Sequence, residues 1–146
     1  MKNRLNLYQT ARLALFTALV AITPGLVGAQ PSCASLNGSY AGGGPGIASN
    51  RDGTITVPTS FIAIVTFASG KLSGSQTAVF NGVVGRVTFS GDYTLNSNCT
   101  GSATFTFQNG TTAEADLVVA KGGKTFYGVI TNNPPGNMSS FTFTKM

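Results

Sequence analysis

The sequence predicts an all-β protein, an eight-stranded antiparallel up-and-down barrel, and three observations lead to this fold class. Gly, Thr, Ser, Asn, Val and Phe dominate residues 30–146, whereas the strong helix formers are sparse. Apolar and polar residues alternate with a period of two in several segments. Turn signals such as Asn81-Gly82 and Asn109-Gly110 separate these segments. A two-sheet β-sandwich is the alternative architecture.

Eight candidate strands lie between the turn signals. They cover residues 35–42, 55–68, 71–80, 84–95, 100–108, 112–120, 124–131 and 137–145. Short links between sequential strands favour an up-and-down order, and closing the sheet removes the exposed edges that an open sheet keeps. We therefore prefer a closed barrel to a sandwich.

The alternation assigns an inner and an outer face to the fourth, fifth, sixth and eighth strands. In the fourth strand, Phe89 and Tyr93 share the apolar face, and Asp92 lies on the polar face. In the other three strands, Phe or Ala alternates with Thr, Ser or acidic residues in the same way. Such strands suit an antiparallel meander that curls around its own core.

The second strand has no polar face. Residues 61–67 read Phe-Ile-Ala-Ile-Val-Thr-Phe, which is apolar on both sides. A large exposed apolar surface commonly marks an interaction site. A second copy of the chain is therefore one expected partner, in a homo-oligomer.

Residues 1–29 have the layout of a secretory signal peptide. Residues 1–12 are basic, residues 13–22 form an apolar run that is short for a membrane span, and Val27-Gly28-Ala29 supplies a small-residue cleavage site. Residues 30–146 then form a single domain. We expect a secreted or periplasmic location and no membrane contact after cleavage, because no later segment is long and apolar enough for a spanning helix.

Composition argues against several classes of function. The chain has nine Lys and Arg residues and four Asp and Glu residues; three of the bases lie in the leader, so the mature net charge is 6 − 4 = +2. This charge is too small and scattered to indicate nucleic-acid binding. The absence of histidine removes the usual general base near neutral pH and the commonest metal ligand. We expect no nucleic-acid partner, no metal site and no cofactor.

Cys33 and Cys99 are the only two cysteines in the chain. In an oxidising compartment, two thiols in a secreted chain favour a disulfide bond. In an up-and-down barrel, the start of the first strand and the link between strands four and five lie at the same end, on opposite walls. The bond therefore requires residues 30–34 to cross that end as a lid. Closing this loop is expected to raise the free energy of unfolding by about 4 kcal/mol, because the bond lowers the entropy of the unfolded chain.

Candidate ligand-binding residues lie in the barrel lumen and at the end of the barrel opposite the predicted disulfide. The Gly-rich segment 41–53 is predicted to be a long loop over the barrel mouth, able to act as a flap, and it contains Arg51. Tyr40, Tyr93 and Tyr127 carry hydroxyl groups that can bind a ligand inside the barrel, although aromatic residues in a core more often serve packing.

The acidic residues favour a surface role. Asp92 and Glu114 fall on the faces assigned to the outside of the barrel. A catalytic role for either carboxylate requires its face to be inverted, so that it is buried in the lumen beside Tyr93 or Tyr127 as an acid or a base.

Two segments carry a resemblance to known proteins. They are Cys33-Ala34-Ser35-Leu36-Asn37-Gly38-Ser39-Tyr40 and Gly91-Asp92-Tyr93-Thr94-Leu95-Asn96-Ser97-Asn98-Cys99-Thr100-Gly101. They resemble a group of small secreted bacterial β-rich proteins of unknown function, in which an N-G-[ST]-Y motif and a G-x-Y-x-x-N-x-[DN]-C-T-G turn recur. The strand number and the large first loop are similar to those of lipocalin-like (calycin) barrels. The resemblance implies a secreted barrel and assigns no function to named residues.

Three functions follow as hypotheses. The first is a non-catalytic module that binds a small apolar ligand in the barrel mouth. The second is a cofactor-free isomerase or cyclase that works in the lumen. The third is a structural or adhesive surface protein that associates through the second strand. Nine phenylalanines in residues 30–146 are also enough to fill the lumen, which leaves the existence of a cavity open.

Overall fold

The computed structural model describes residues 33, 35–49, 56–120, 122–131 and 138–146, which form one closed β-barrel. Its strands are β1 (Gly38–Ser49), β2 (Thr56–Ala68), β3 (Lys71–Phe80), β4 (Val83–Leu95), β5 (Thr100–Phe107), β6 (Thr112–Val119), β7 (Thr125–Ile130) and β8 (Met138–Lys145). Each strand pairs antiparallel with the next, and β8 pairs with β1. The predicted eight-stranded up-and-down barrel is confirmed, and the alternative sandwich is wrong.

Within the described ranges there is no helix, so none of these residues forms an apolar helix long enough to cross a membrane. The predicted signal peptide, residues 1–29, lies outside the described residues and stays a prediction.

The Gly-rich segment is a strand over most of its length. Residues 41–49 belong to β1 and pair continuously with β2, from Ala41↔Ile64 to Ser49↔Thr56. The prediction of a loop is therefore wrong for these nine residues. Residues 50–53, the rest of the predicted flap, lie outside the described part of the chain.

Close approach of neighbouring backbones explains why glycines occupy this strand. A Cβ atom on Gly42 would collide with the carbonyl oxygen of Thr142 in β8, and one on Gly43 would collide with the carbonyl oxygen of Phe61 in β2. Without side chains at these positions, β1 can lie close to both neighbours. The glycines here serve strand packing rather than loop flexibility.

The apolar faces predicted for β4, β5, β6 and β8 line the barrel interior. The buried apolar side chains are Leu36, Tyr40, Ala63, Val65, Phe67, Leu72, Ala78, Phe89, Ala103, Ala113, Ala115, Leu117, Val119, Phe126, Phe141 and Phe143. Their alternation with exposed threonines and acidic residues follows the period of two. The predicted inner and outer faces of these four strands are confirmed.

One end of the barrel is covered by the chain that precedes β1. Cys33 and Cys99 form a disulfide bond with their Cα atoms 5.1 Å apart. Cys99 lies between β4 and β5, whereas β1 begins at Gly38 on the opposite wall, so the chain from Cys33 to Gly38 crosses this closed end. Leu36 is only 1 % exposed and joins the core. The predicted disulfide is confirmed, whereas residues 30–32 and 34 of the predicted lid lie outside the described residues.

The opposite, open end has walls of unequal height. β3 and β4 pair up to Phe80↔Val83 beside the turn, whereas the pairing of β4 with β5 begins only at Phe89↔Phe107. The segment 75–88, which we call the tall hairpin, therefore rises above the β5–β6 hairpin. This difference in height exposes the inner face of the tall hairpin.

Candidate functional site

The lumen is packed by aromatic rings. Phe67 and Phe126 meet edge to face with ring centroids 5.3 Å apart, and Phe126 stacks on Phe143 at 5.1 Å. On the other wall, the rings of Phe89 and Phe105 meet at 5.6 Å. The cavity left between the rings has a volume of about 50 Å³. Small-molecule pockets usually have volumes of about 300–1,000 Å³, so this lumen is a core rather than a ligand chamber.

Tyr40 is a structural residue at the closed end. Its side chain is fully buried, and its hydroxyl donates a hydrogen bond of 2.7 Å to the carbonyl oxygen of Gly123. Its ring packs edge to face on Phe67 and Phe126. Burial raises the pKa of the Tyr40 hydroxyl, and a backbone hydrogen bond with Asn37 opposes this shift. The Tyr40 hydroxyl is therefore occupied by a hydrogen bond within the protein.

Tyr93 holds the crossing chain in place. Its half-buried hydroxyl donates a hydrogen bond of 2.7 Å to the carbonyl oxygen of Leu36, and its ring lies 4.9 Å from that of Phe67. Tyr40 and Tyr93 therefore lie together at the closed end, with both hydroxyls bonded to backbone oxygens.

Tyr127 does not join this pair. Tyr127 lies on the outer face of β7, opposite Val118 of β6, and is 50 % exposed. The prediction that it faces the lumen is wrong, because the neighbouring Phe126 takes the inner position. Arg51 lies outside the described residues.

The carboxylates lie on the outer wall. Asp92, Glu114 and Asp116 are exposed, and Asp92 forms an exposed ion pair with Lys71. The predicted outer placement is confirmed, and the inverted arrangement with Asp92 or Glu114 in the lumen is wrong. Among the described residues, no three His, Cys, Asp or Glu side chains come together as a metal-binding group.

Replacing Tyr40 by phenylalanine is expected to lower the free energy of unfolding by about 2 kcal/mol, because the buried carbonyl of Gly123 loses its hydrogen-bond donor. Tyr127→Phe is the matched control, since it removes the same atom from an exposed side chain. Urea unfolding of both variants checks the prediction. Equal stability of the two variants would contradict it.

The effect of Tyr40→Phe on the free energy of unfolding is expected to depend on pH. The pKa of Tyr40 is raised above 10.0 in the folded state, so the unfolded chain loses this proton first as pH rises. The stabilisation that follows from this raised pKa is fully present below pH 10.0. It is lost as the pH rises from that value through the folded-state pKa of Tyr40. We expect the stability of Tyr40→Phe to fall less steeply over this alkaline range than that of the unchanged protein.

The open end presents a surface that the sequence interpretation did not identify. Six residues of the tall hairpin occupy positions whose alternation points toward the barrel axis: Gln76, Ala78, Phe80, Val83, Gly85 and Val87. We call this set the hairpin shelf. Phe80 is 46 % exposed and Val83 is 71 % exposed, although both occupy inner positions. The unequal lengths of the predicted hairpins were the signal that could have revealed it.

The outer wall carries a second apolar surface. Ile62 is 70 % exposed and Ile64 is 46 % exposed, which confirms the apolar outer side predicted for the second strand. An open groove of about 730 Å³ runs over this part of the wall, with Arg86 among its lining residues.

Comparison of the chain with protein-family models and with curated proteins finds no match. The geometry of the described residues therefore carries the functional argument.

Proposed function

We propose that this is an exported, non-catalytic binding protein that holds a small apolar molecule, or the apolar end of a larger one, on the hairpin shelf at the open end. The disulfide between Cys33 and Cys99 supports export, because such bonds persist in secreted and periplasmic proteins. The observation that carries the binding function is the exposure of Phe80 and Val83 on the axis-facing side of the wall.

The shape of the hairpin shelf supports a shallow apolar site. Phe80 and Val83 pair directly across the turn and form its upper edge. Below them, Gly85 pairs with Ala78, and a Cβ built on Gly85 meets no atom within 4 Å. Two small residues beneath two large apolar ones leave a notch, which suits a ring or the end of an alkyl chain.

The floor of the shelf adds one polar group. Gln76 occupies an inner position and lines the small lumen cavity, whose other lining side chains are all apolar. Its amide can donate and accept hydrogen bonds. A ligand with an apolar body and a single polar group therefore fits this surface best.

The enzymatic hypothesis has less support. A cofactor-free isomerase or cyclase needs an acid or a base beside its substrate. The described carboxylates lie outside the barrel, and the hydroxyls of Tyr40 and Tyr93 are bonded to backbone oxygens at the closed end. We therefore prefer binding to catalysis.

A second candidate function, a structural or adhesive surface protein, has its own observation. The exposed Ile62 and Ile64 lie over the outer groove, on a wall that is otherwise rich in Ser and Thr. An apolar patch with a polar surround is typical of an interaction surface. The substitution Ile62→Ser should abolish surface association if this face is adhesive, without changing ligand binding at the open end.

The binding proposal is tested with fluorescent apolar probes such as 1-anilinonaphthalene-8-sulfonate and a series of fatty acids. We expect saturable binding to the unchanged protein, and a loss of about tenfold in affinity for Phe80→Ser, because part of the contact surface of one aromatic side chain is removed. Gly85→Leu should also weaken binding by filling the notch.

The matched control is Val84→Ser, which changes an exposed valine on the outer side of the same hairpin. Its affinity should equal that of the unchanged protein. The proposal is overturned if no probe binds saturably, or if Phe80→Ser and Val84→Ser bind equally well.

A further inference from the structure

The chain contains three Asn-Gly pairs, at residues 37–38, 81–82 and 109–110. In such a pair the side-chain amide of asparagine is open to attack by the next backbone nitrogen, because glycine has no Cβ atom to hinder a close approach. The asparagine of each pair is exposed. Sequence and exposure therefore do not distinguish the three pairs, whereas their hydrogen bonds do.

Asn81 and Gly82 form the two-residue turn of the tall hairpin, with φ angles of 47° and 81°. Positive φ at both central residues is the pattern of a type I′ turn. The flanking residues Phe80 and Val83 close the ladder. Among the described residues, the Gly82 amide has no hydrogen-bond acceptor and the Asn81 side chain has no hydrogen-bond partner. The two groups can therefore turn toward each other without losing a hydrogen bond.

Asn109 and Gly110, by contrast, are held by hydrogen bonds on both reacting groups. The side-chain oxygen of Asn109 accepts from the Thr111 amide at 3.1 Å and from the Thr111 hydroxyl at 2.7 Å. The Gly110 amide donates to the Phe107 carbonyl oxygen at 2.9 Å. Attack on the Asn109 side chain requires this amide to leave Phe107 and the side chain to turn away from Thr111. Folding therefore opposes the reaction at this pair.

Asn37 and Gly38 are held by the ladder at the closed end. Gly38 is the first residue of β1 and pairs with Phe67 of β2. The Ser39 carbonyl oxygen accepts from the Met146 amide on the β8 side, so the adjacent Gly38 amide faces β2. Turning this amide toward the Asn37 side chain would take the start of β1 out of the ladder.

We propose that Asn81 is a site of spontaneous covalent modification: in the folded protein it converts to aspartate and isoaspartate, while folding protects Asn37 and Asn109. The proposal concerns the turn of the tall hairpin. It stands whether or not the hairpin shelf binds a ligand.

The reaction needs only the turn itself and water. The Gly82 nitrogen gives up its proton and attacks Cγ of Asn81, which forms a cyclic imide. The bond from Cγ to the side-chain nitrogen breaks, and that nitrogen leaves as ammonia together with the proton that Gly82 lost. Water then adds to one of the two carbonyl carbons of the imide. Opening at one carbonyl gives aspartate, and opening at the other gives isoaspartate, whose backbone runs through the side-chain carbon. No atom is oxidised or reduced.

The modification changes the upper edge of the hairpin shelf. Either product carries a carboxylate, which is ionised near neutral pH, and so places a negative charge between Phe80 and Val83. Isoaspartate also adds a carbon atom to the backbone of the turn that joins β3 to β4. The charge at the open end therefore changes with the age of the protein.

The test incubates the full chain, with its disulfide intact, at mildly alkaline pH and follows the three Asn-Gly peptides by mass spectrometry after digestion. Asparagine and its acid products differ in mass, and chromatography separates isoaspartate from aspartate. We expect Asn81 to react at least about tenfold faster than Asn37 or Asn109, because hydrogen bonds must first break at the other two pairs.

The reduced chain in guanidinium is the matched control. Without the folded structure the three pairs are chemically equivalent, so their rates should converge. The proposal is overturned if Asn37 or Asn109 reacts as fast as Asn81 in the folded chain. It is also overturned if folding slows Asn81 as strongly as the other two, as a cover over the turn by residues 50–55 would do.

The variant Thr111→Val tests the cause of protection at Asn109. It removes the hydroxyl that donates to the Asn109 side chain and keeps the backbone amide. In the folded variant, Asn109 should react about fivefold faster than in the unchanged protein, with no change at Asn81. An unchanged rate at Asn109 would count against the proposal, because the proposal attributes this protection to hydrogen bonding. The main comparison uses the unchanged protein and so does not depend on the folding of the variant.

Discussion

Replacing Cys33 and Cys99 by serine is expected to lower the free energy of unfolding by about 4 kcal/mol. The bond joins residues 66 positions apart and so restricts the unfolded chain strongly. In the folded state it also fixes the crossing chain at the closed end, where Leu36 is buried and accepts the hydrogen bond from Tyr93. Without the bond, this cover depends on packing alone.

Guanidinium unfolding of the double variant, compared with the unchanged protein before and after reduction, measures the effect. Each single variant, Cys33→Ser and Cys99→Ser, should lose as much as the double variant, because each breaks the same bond. A loss below about 1 kcal/mol would show that the bond does not constrain the unfolded chain as the entropy account requires.

Gly42→Ala is expected to destabilise the barrel by about 3 kcal/mol, although it adds a single methyl group. The added carbon would collide with the Thr142 carbonyl oxygen and lie 2.6 Å from the Cα atom of Phe143. Both are backbone atoms, so relief requires β1 and β8 to separate. The ladder that closes the barrel would then be disturbed.

Gly85→Ala is the matched control for this change. The same methyl group meets no atom within 4 Å at Gly85, so in dilute solution we expect a gain of roughly 0.5 kcal/mol from the lower entropy of the unfolded chain. Thermal unfolding of the two variants provides the comparison. Similar stabilities for Gly42→Ala and Gly85→Ala would mean that close strand packing does not explain the glycines of β1.

The fold was predictable wherever one face of a strand is polar. In β6, Ala115 and Leu117 alternate with Glu114 and Asp116, so burial follows directly from the period of two. Tight turns such as Asn81-Gly82 fixed the order of the strands. The position of the disulfide also followed, since topology alone places the start of β1 and the β4–β5 turn at one end.

The Gly-rich part of β1 was not predictable from local sequence. A run such as Gly42-Gly43-Gly44-Pro45-Gly46 is typical of a loop, because glycine and proline are depleted in strands. The reason for its strand conformation lies in the backbones of β2 and β8, which are distant in sequence. Tertiary packing therefore decided the conformation against local propensity.

The candidate site was less predictable than the fold. In β7, Phe126, Tyr127 and Val129 are all apolar or aromatic, so alternation could not show that Tyr127 faces outward. The aromatic content did not reveal whether the lumen is filled either, because that depends on how the rings of Phe126 and Phe143 stack. The hairpin shelf follows from the unequal heights of adjacent hairpins, which are set by strand register.

The closed end also determines how the molecule can be attached to anything larger. Cys33 is joined to the β4–β5 turn, and the amide of Met146 bonds to Ser39 at the start of β1. Cys33 and Met146 therefore both lie at the closed end, opposite the hairpin shelf. If the protein were tethered to a support through either residue, the closed end would face the support and the hairpin shelf would face the solvent.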